Sequence, residues 1–195
     1  MSMFESLESR RLLSGGVTVS QNGSAITVKG GSGASSINVV ENNGNVIVED
    51  LQAATPQIFA ASGITAINIL GQAGSDTIFY TGNTVGANIS GNGGNDALTV
   101  SDKGSGASYV SGDGDDDQIE ILAAHNTTVV GGGGADHIDI QSGADLNDTY
   151  LYGLGGDDTF TTFGGHNHIY GGGGDDTVFN FGGVNDYNSV ETVFP

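Results

Sequence analysis

The sequence predicts an all-β fold, a parallel β-roll or β-helix solenoid whose coils are about 20 residues long. Three observations lead to this prediction. One phrase of nine residues recurs six times at a nearly constant spacing, two rows of apolar residues recur with it, and the composition is that of a chain rich in turns.

The recurring phrase has glycine at its first position, usually glycine again at its fourth, aspartate at its sixth and an apolar residue at its eighth. The copies span 71–79, 91–99, 112–120, 131–139, 153–161 and 171–179. Their aspartates are Asp76, Asp96, Asp117, Asp136, Asp158 and Asp176, which follow one another by 20, 21, 19, 22 and 18 residues. A period of this length is typical of solenoids in which one repeat forms one coil.

Two apolar rows keep the same period. Two residues before each phrase stand Ile69, Ile89, Val110, Val129, Leu151 and Ile169, and the eighth positions hold Ile78, Leu98, Ile119, Ile138, Phe160 and Val178. Because alternate residues of a strand point to one face, the rows indicate two short strands per coil directed at a common core. A further row, Tyr80, Val100, Ile121, Ile140, Thr162 and Asn180, becomes polar toward the C-terminus, so we expect looser packing in the last coils.

Composition and charge narrow the functional classes. The chain of 195 residues has 35 glycines and no cysteine, so disulfides cannot stabilise it. The excess of 23 acidic over four basic residues gives a net charge of −19, and no Lys or Arg follows Lys103. Nucleic acid is excluded as a partner, since phosphate binding requires a basic surface. Cations are favoured, and no apolar stretch is long enough to span a membrane.

The residue types of the phrase point to calcium. Glycines allow backbone carbonyls to converge, and aspartate adds a hard, charged oxygen, which together suit Ca²⁺ better than Mg²⁺. Six stacked turns leave five gaps, so we expect one row of about five Ca²⁺ ions. The predicted ligand residues are Asp76, Gly91, Gly93, Asp96, Gly112, Gly114, Asp117, Gly131, Gly133, Asp136, Gly153, Gly155, Asp158, Gly171, Gly173 and Asp176. The first and third turns depart most from the pattern, with Gln72, Ala73 and Asp115.

The phrases resemble the nonapeptide repeats of RTX, or haemolysin-type, calcium-binding proteins over about residues 67–181. The resemblance implies calcium bound between adjacent coils of a right-handed parallel β-roll that folds after secretion. Family members often carry a phrase at every half coil, whereas this chain has one on a single side. It therefore implies one row of calcium ions.

The flanking regions divide the rest of the chain. Residues 1–16 include FESLESRRLLS, which is similar to the LEPR-XLL-type motif of planctomycete surface and secreted proteins and implies an export-related segment. For residues 17–66 two alternatives stay open: calcium-free coils, with Ser35 at the aspartate position, or a hairpin cap. We expect a C-terminal cap at 182–195, and a C-terminal secretion signal is the alternative there.

These features predict a calcium-binding, secreted or cell-surface solenoid with a structural or adhesive role, whose folding is coupled to calcium. Surface polysaccharides and other surface proteins are the candidate partners. One alternative is a β-helix lyase or epimerase using carboxylates among Glu120, Asp139, Asp145 and Asp148, although no catalytic constellation is evident and we expect no enzyme. Another is a calcium-dependent ice-binding or adhesin module. His166 and His168 share a strand face that could hold zinc, but neither is assigned as a ligand.

Overall fold

The computed structural model describes residues 11–12, 16–53, 55–104, 106–123, 126–141 and 149–195. Most of the predicted N-terminal segment, 1–10 and 13–15, lies outside these ranges. Within them the regular elements are β-strands, and none is a helix that is long and apolar enough to cross a lipid bilayer.

The strands form two ten-stranded sheets. The first sheet contains, in spatial order, β1 (Arg11–Leu12), β2 (Thr18–Asn22), β3 (Ala25–Lys29), β7 (Ala66–Ala73), β9 (Ala87–Gly93), β11 (Tyr109–Gly114), β13 (Thr128–Gly133), β15 (Thr149–Gly155), β17 (His166–Gly173) and β19 (Val184–Asn188). The second contains β20 (Thr192–Phe194), β18 (Thr177–Asn180), β16 (Thr159–Thr162), β14 (His137–Ile140), β12 (Gln118–Ala123), β10 (Ala97–Asp102), β8 (Thr77–Gly82), β4 (Ser36–Asn42), β5 (Asn45–Asp50) and β6 (Gln57–Ala60).

Each coil takes one strand from each sheet and joins them through the phrase turn. Along the coils the pairing is parallel and in register, so that Ile69 lies beside Ile89 and Ile78 beside Leu98. About six coils stack in this way, with starting points about 20 residues apart. The predicted fold class, an all-β parallel solenoid, is confirmed.

The two predicted apolar rows form the core between the sheets. All twelve residues of these rows are at most 1% exposed. In the third row Tyr80 to Thr162 are buried as well, whereas Asn180 is only half-buried, so packing does loosen at the C-terminal coil. The core is one residue layer thick on each sheet, so each coil depends on the coils above and below it.

Residues 17–66 contain both a coil and hairpins. Strands β3 and β4 stack in parallel on β7 and β8, and the segment between them places Ser35 one residue before the pairing of Ser36 with Thr77. Strand β2 pairs antiparallel with β3 through the turn at Asn22-Gly23, and β5 pairs antiparallel with β4 after Asn43-Gly44 and with β6. These hairpins occupy the N-terminal end of both sheets, where unpaired strand edges would otherwise recruit other chains.

Residues 182–195 continue the coil although the glycine phrase stops. Strand β19 pairs in parallel with β17, and β20 pairs in parallel with β18. Tyr170 lies opposite Asn188 and Thr177 opposite Thr192, so the connecting turn is three residues shorter than the turn before it. Glu191 therefore takes the place that aspartate occupies in the other coils.

Candidate functional site

The six phrase turns share one backbone conformation. The second position has positive φ in every copy, at Gln72, Asn92, Asp113, Gly132, Leu154 and Gly172, and so does the fourth, at Gly74, Gly94, Asp115, Gly134, Gly156 and Gly174. Glycine is favoured at the fourth position because the backbone there is left-handed. Asp115 adopts the same conformation at the cost of local strain. The departures in the first and third turns do not change the turn geometry.

The aspartate of each phrase points into the coil. Asp76 directly precedes β8 and alternates with Ile78 and Tyr80 of that strand, and all three are buried, which places the carboxylate in line with the core. The six aspartates Asp76, Asp96, Asp117, Asp136, Asp158 and Asp176 are each at most 3% exposed. We call this set the aspartate column.

One oxygen of each carboxylate in the aspartate column accepts a hydrogen bond from the preceding coil. The N–H of Asp76 donates to Oδ1 of Asp96 at 2.7 Å, and the N–H of Asp96 donates to Oδ1 of Asp117 at 2.8 Å. The same bond recurs at Asp136, Asp158 and Asp176 over 2.8–2.9 Å. Ser35 begins the series by donating to Asp76, and Glu191 ends it by accepting from Asp176. The column therefore ties every phrase turn to its neighbour.

The other oxygen, Oδ2, has no hydrogen-bond partner in any of the six aspartates, although each of these atoms is buried. A buried, unpartnered carboxylate oxygen is costly because it has lost its water without gaining a donor. The same unpartnered oxygen occurs in all six turns, which indicates that the turns share one structural requirement.

The first glycine of each phrase leaves the space that Oδ2 occupies. A Cβ atom added to Gly71, Gly91, Gly112, Gly131, Gly153 or Gly171 would overlap Oδ2 of the aspartate in the same turn. The first-position carbonyl of the next turn is close as well: the Gly91 oxygen lies 2.6 Å from the Cβ position of Gly71, and the Gly171 oxygen 2.5 Å from that of Gly153. Oδ2 and the carbonyl oxygen of the next turn thus lie close to the same point, the Cβ position of the first glycine, where a proton or a cation would reduce the repulsion between them.

Burial shifts the titration of the aspartate column. It raises the pKa of Asp117 to about 7, against the lowering effect of the hydrogen bond from the Asp96 N–H, and the charges of Asp136 and Asp96 add to the rise. The pKa of Asp158 is raised to about 7 and that of Asp96 to about 6, again mainly by burial. Burial also raises the pKa values of Asp76, Asp136 and Asp176. Asp96, Asp117 and Asp158 therefore titrate close to neutral pH.

The predicted glycine ligands fall into two groups. The first-position carbonyls, which include those of Gly91, Gly112 and Gly171, lie near the first glycine of the preceding turn and its Oδ2 atom. Third-position carbonyls are used differently, since those of Gly93, Gly155 and Gly173 accept hydrogen bonds of 2.8 Å from Gly74, Gly134 and Gly156. Gly114 and Gly133 pair with one another in the strand register. The unpartnered Oδ2 atoms of the aspartates therefore lie on the side of the first-position carbonyls.

These atoms suit a hard divalent cation. Carboxylate and carbonyl oxygens are the ligands that Ca²⁺ prefers, and Ca²⁺ tolerates irregular coordination. The aspartate column supplies one unpartnered carboxylate oxygen per turn, and the adjacent carbonyls supply neutral oxygens. The donor set of the predicted site therefore fits calcium.

Other acids of the turns lie outside the coil. Asp157 is exposed and accepts a hydrogen bond of 2.9 Å from the N–H of Asp175, and Asp116 accepts one of 2.8 Å from Ala135. These exposed carboxylates accept from the following coil, the opposite direction to the aspartate column. They add negative charge near the column while remaining solvated.

Two of the carboxylates considered for catalysis, Glu120 and Asp139, lie within the described residues. Glu120 and Asp139 are neighbours in the register of β12 and β14 on the outer face of the second sheet. Nε2 of Gln141 donates a hydrogen bond of 3.0 Å to Oε1 of Glu120, and Nε2 of His137 lies 3.0 Å from Oδ1 of Asp139. Asp145 and Asp148 lie outside the described residues.

Sequence reasoning did not identify Glu41, a buried acid at the N-terminal end. Its carboxylate accepts hydrogen bonds from the N–H of Thr84 at 2.9 Å and from the hydroxyl of Tyr80 at 3.1 Å. It thereby orders the loop between β8 and β9. Alternation from Ile37 and Val39 places Glu41 on the inward face, which was the signal available in the sequence.

No protein-family model, curated protein or solved structure matches this chain. The case for a function therefore depends on the geometry of the aspartate column.

Two glycines of one turn provide a matched test of that geometry. Gly131→Ala should destabilise the chain by about 1–3 kcal/mol, because the new methyl group overlaps Oδ2 of Asp136. Gly133→Ala should have an effect within about 0.5 kcal/mol, since its Cβ would meet no atom within 4 Å and its φ is not positive. Chemical denaturation measures both, and equal losses from the two variants would contradict the assigned packing.

The pH dependence of stability without divalent cations follows from the raised pKa values. Aspartate titrates near 3.9 in the unfolded chain, so between about pH 4 and 7 the folded chain binds more protons than the unfolded chain. This contribution is complete below about pH 4 and is lost as the pH rises to about 7. In excess chelator the melting temperature should therefore fall by several degrees between pH 5 and pH 8. Asp117→Asn should flatten the decline and Asp157→Asn should not; a melting temperature that rises over this range would refute the interpretation.

Proposed function

We propose that this chain is a calcium-binding, secreted or cell-surface β-solenoid with a structural or adhesive role, and that calcium completes its folding. The observation that carries the proposal is the set of six buried Oδ2 atoms without hydrogen-bond partners. Each belongs to an aspartate whose other oxygen is already engaged in linking two coils.

Calcium binding explains why both glycine and aspartate recur in the turn. Positive φ at the second and fourth positions turns the backbone so that first-position carbonyls lie near the buried carboxylates. Ca²⁺ bound in the gaps between successive turns would take oxygens from both, at about five positions for six turns. Bound water would complete the coordination number.

The charge balance supports coupling between calcium and folding. With a net charge of −19 and a column of stacked carboxylates, the calcium-free solenoid carries repulsion that a thin core must offset. A cation that binds the folded coils and not the unfolded chain adds stability by mass action. Calcium affinity of about 10⁻⁴ to 10⁻³ M, as in extracellular modules, would confine folding to calcium-rich surroundings.

A structural or adhesive role follows from the architecture under this proposal. A stack of coils with parallel in-register sheets is a stiff rod, and the outward faces carry mixed polar and aromatic side chains that partners such as surface polysaccharides or proteins could contact. The resemblance of the six phrases to RTX repeats is the basis for placing the chain outside the cell.

Neighbouring aspartates allow the calcium assignment to be tested with one change of charge. Asp158→Asn removes the charge of a residue that is 1% exposed, whereas Asp157→Asn removes the same charge from the exposed residue beside it. At neutral pH in saturating calcium, Asp158→Asn should lose about one bound ion and lower the melting temperature. Asp157→Asn should retain the ion count and nearly the wild-type melting temperature. Calorimetric titration gives the stoichiometry and circular dichroism the melting temperature.

Removing calcium with a chelator should abolish or reverse the effect of Asp158→Asn on the melting temperature. Without calcium, Asp158→Asn should match or exceed the wild type in melting temperature at neutral pH, because a buried charge has been removed while the amide oxygen can still accept from Asp136. If calcium changed neither the melting temperature nor the strand signal of the wild type, the proposed function would be wrong.

A further inference from the structure

A second group of candidate metal ligands lies on the outer face of the first sheet, away from the aspartate column. His166 and His168 are alternate residues of β17, and Asp186 comes from β19. In the parallel register His168 lies directly opposite Asp186, and His166 lies opposite Val184. The pairing of the last two coils therefore brings together three side chains that are separated by up to 20 positions in the sequence.

The ligand atoms have the spacing of a first coordination shell. Nε2 of His166 lies 3.4 Å from Oδ2 of Asp186, and Nδ1 of His168 lies 3.2 Å from the same oxygen. The candidate ligand atoms of the three residues all lie within 4.8 Å of one another. For metal–ligand bonds of 2.0–2.1 Å, the edge of a tetrahedron is about 3.3 Å, so both measured separations match it.

Aromatic packing orients the histidine rings. The ring of His168 stacks on Tyr150 with centroids 4.7 Å apart and planes inclined by 16°. The ring of His166 meets that of His168 edge to face at 4.7 Å. A stacked imidazole loses less conformational freedom on metal binding than one that rotates freely.

We propose that His166, His168 and Asp186 bind one divalent transition-metal ion of the zinc type. Two imidazole nitrogens and one carboxylate are ligands that suit Zn²⁺ and its neighbours, whereas Ca²⁺ prefers oxygen alone. The side chains of His166 and Asp186 are 41% and 66% exposed, so the ion reaches the site from solvent and water completes its coordination. Because two of its ligands are nitrogens, this site favours a different metal ion from the one that suits the oxygen ligands of the aspartate column.

Metal binding here would fasten the outermost strand of the first sheet. Strand β19 has mostly exposed side chains and pairs only with β17 among the described strands. A metal that takes two ligands from β17 and one from β19 cross-links the two strands through their side chains. The site therefore stabilises the C-terminal coil against fraying.

An ion pair of the two histidines with Asp186 is the competing explanation of the short distances. An ion pair alone binds no metal, whereas the proposed site does, so a metal titration distinguishes the two explanations.

The test uses the full chain in saturating calcium, or in whichever calcium concentration leaves it folded by circular dichroism. Titration with Co²⁺, followed by the visible absorption that four-coordinate cobalt gives, should show one equivalent bound and displaced by Zn²⁺. His168→Ala and Asp186→Asn should each weaken binding by at least about tenfold. His137→Ala is the matched control, since His137 also lies beside a carboxylate, Asp139, but forms no cluster with a second imidazole among the residues that the structure describes. It should bind cobalt as the wild type does.

Folding of each variant is checked by its strand signal before titration, so a loss of binding reports on the ligand and not on the fold. No cobalt binding by the folded wild type, or binding that survives both His168→Ala and Asp186→Asn, would overturn the proposal. Because the readout is cobalt and not calcium, failure here would leave the proposed function unaffected, and the reverse also holds.

Discussion

The hydrogen bond from one coil's backbone N–H to the next coil's aspartate Oδ1 is the interaction on which the phrase turns depend. It recurs without interruption from Ser35 to Glu191 and places each carboxylate inside the coil. The geometry fixes the first glycine, because only a residue without Cβ leaves room for Oδ2. The same geometry buries a column of carboxyl groups, and their negative charge is costly unless a proton or a cation neutralises it.

Protons and cations are the two solutions to that constraint. At low pH the raised pKa values allow neutral carboxyl groups, and at neutral pH a divalent cation would replace the protons. A thin core offers little stability to offset unpaired buried charge, so the state of the column should dominate the stability of the whole stack. The exposed acids, such as Asp157, remain solvated and contribute mainly to the surrounding potential.

Much of the fold could be predicted because one coil is one period of the sequence. The twelve apolar residues defined both sheets, and the six aspartates defined the turns. Periodicity could not reveal the extra coil at 182–195, because its turn is three residues shorter and Glu191 replaces aspartate. Nor could spacing bring Asp186 to His168, since that contact depends on the strand register across the preceding loop. For residues 17–66, the hairpin signals and the coil pattern both had structural counterparts, joined at β3 and β4.

Proton release on calcium binding tests the central claim most directly. Chelator-treated, desalted chain is titrated with Ca²⁺ in weakly buffered solution at about pH 6 and again at about pH 8.5, and the protons released per bound ion are measured. The account predicts clear release near pH 6, where the aspartate column is partly protonated, and little release near pH 8.5. Calcium binding with no proton release at either pH, or no calcium binding at all, would contradict it.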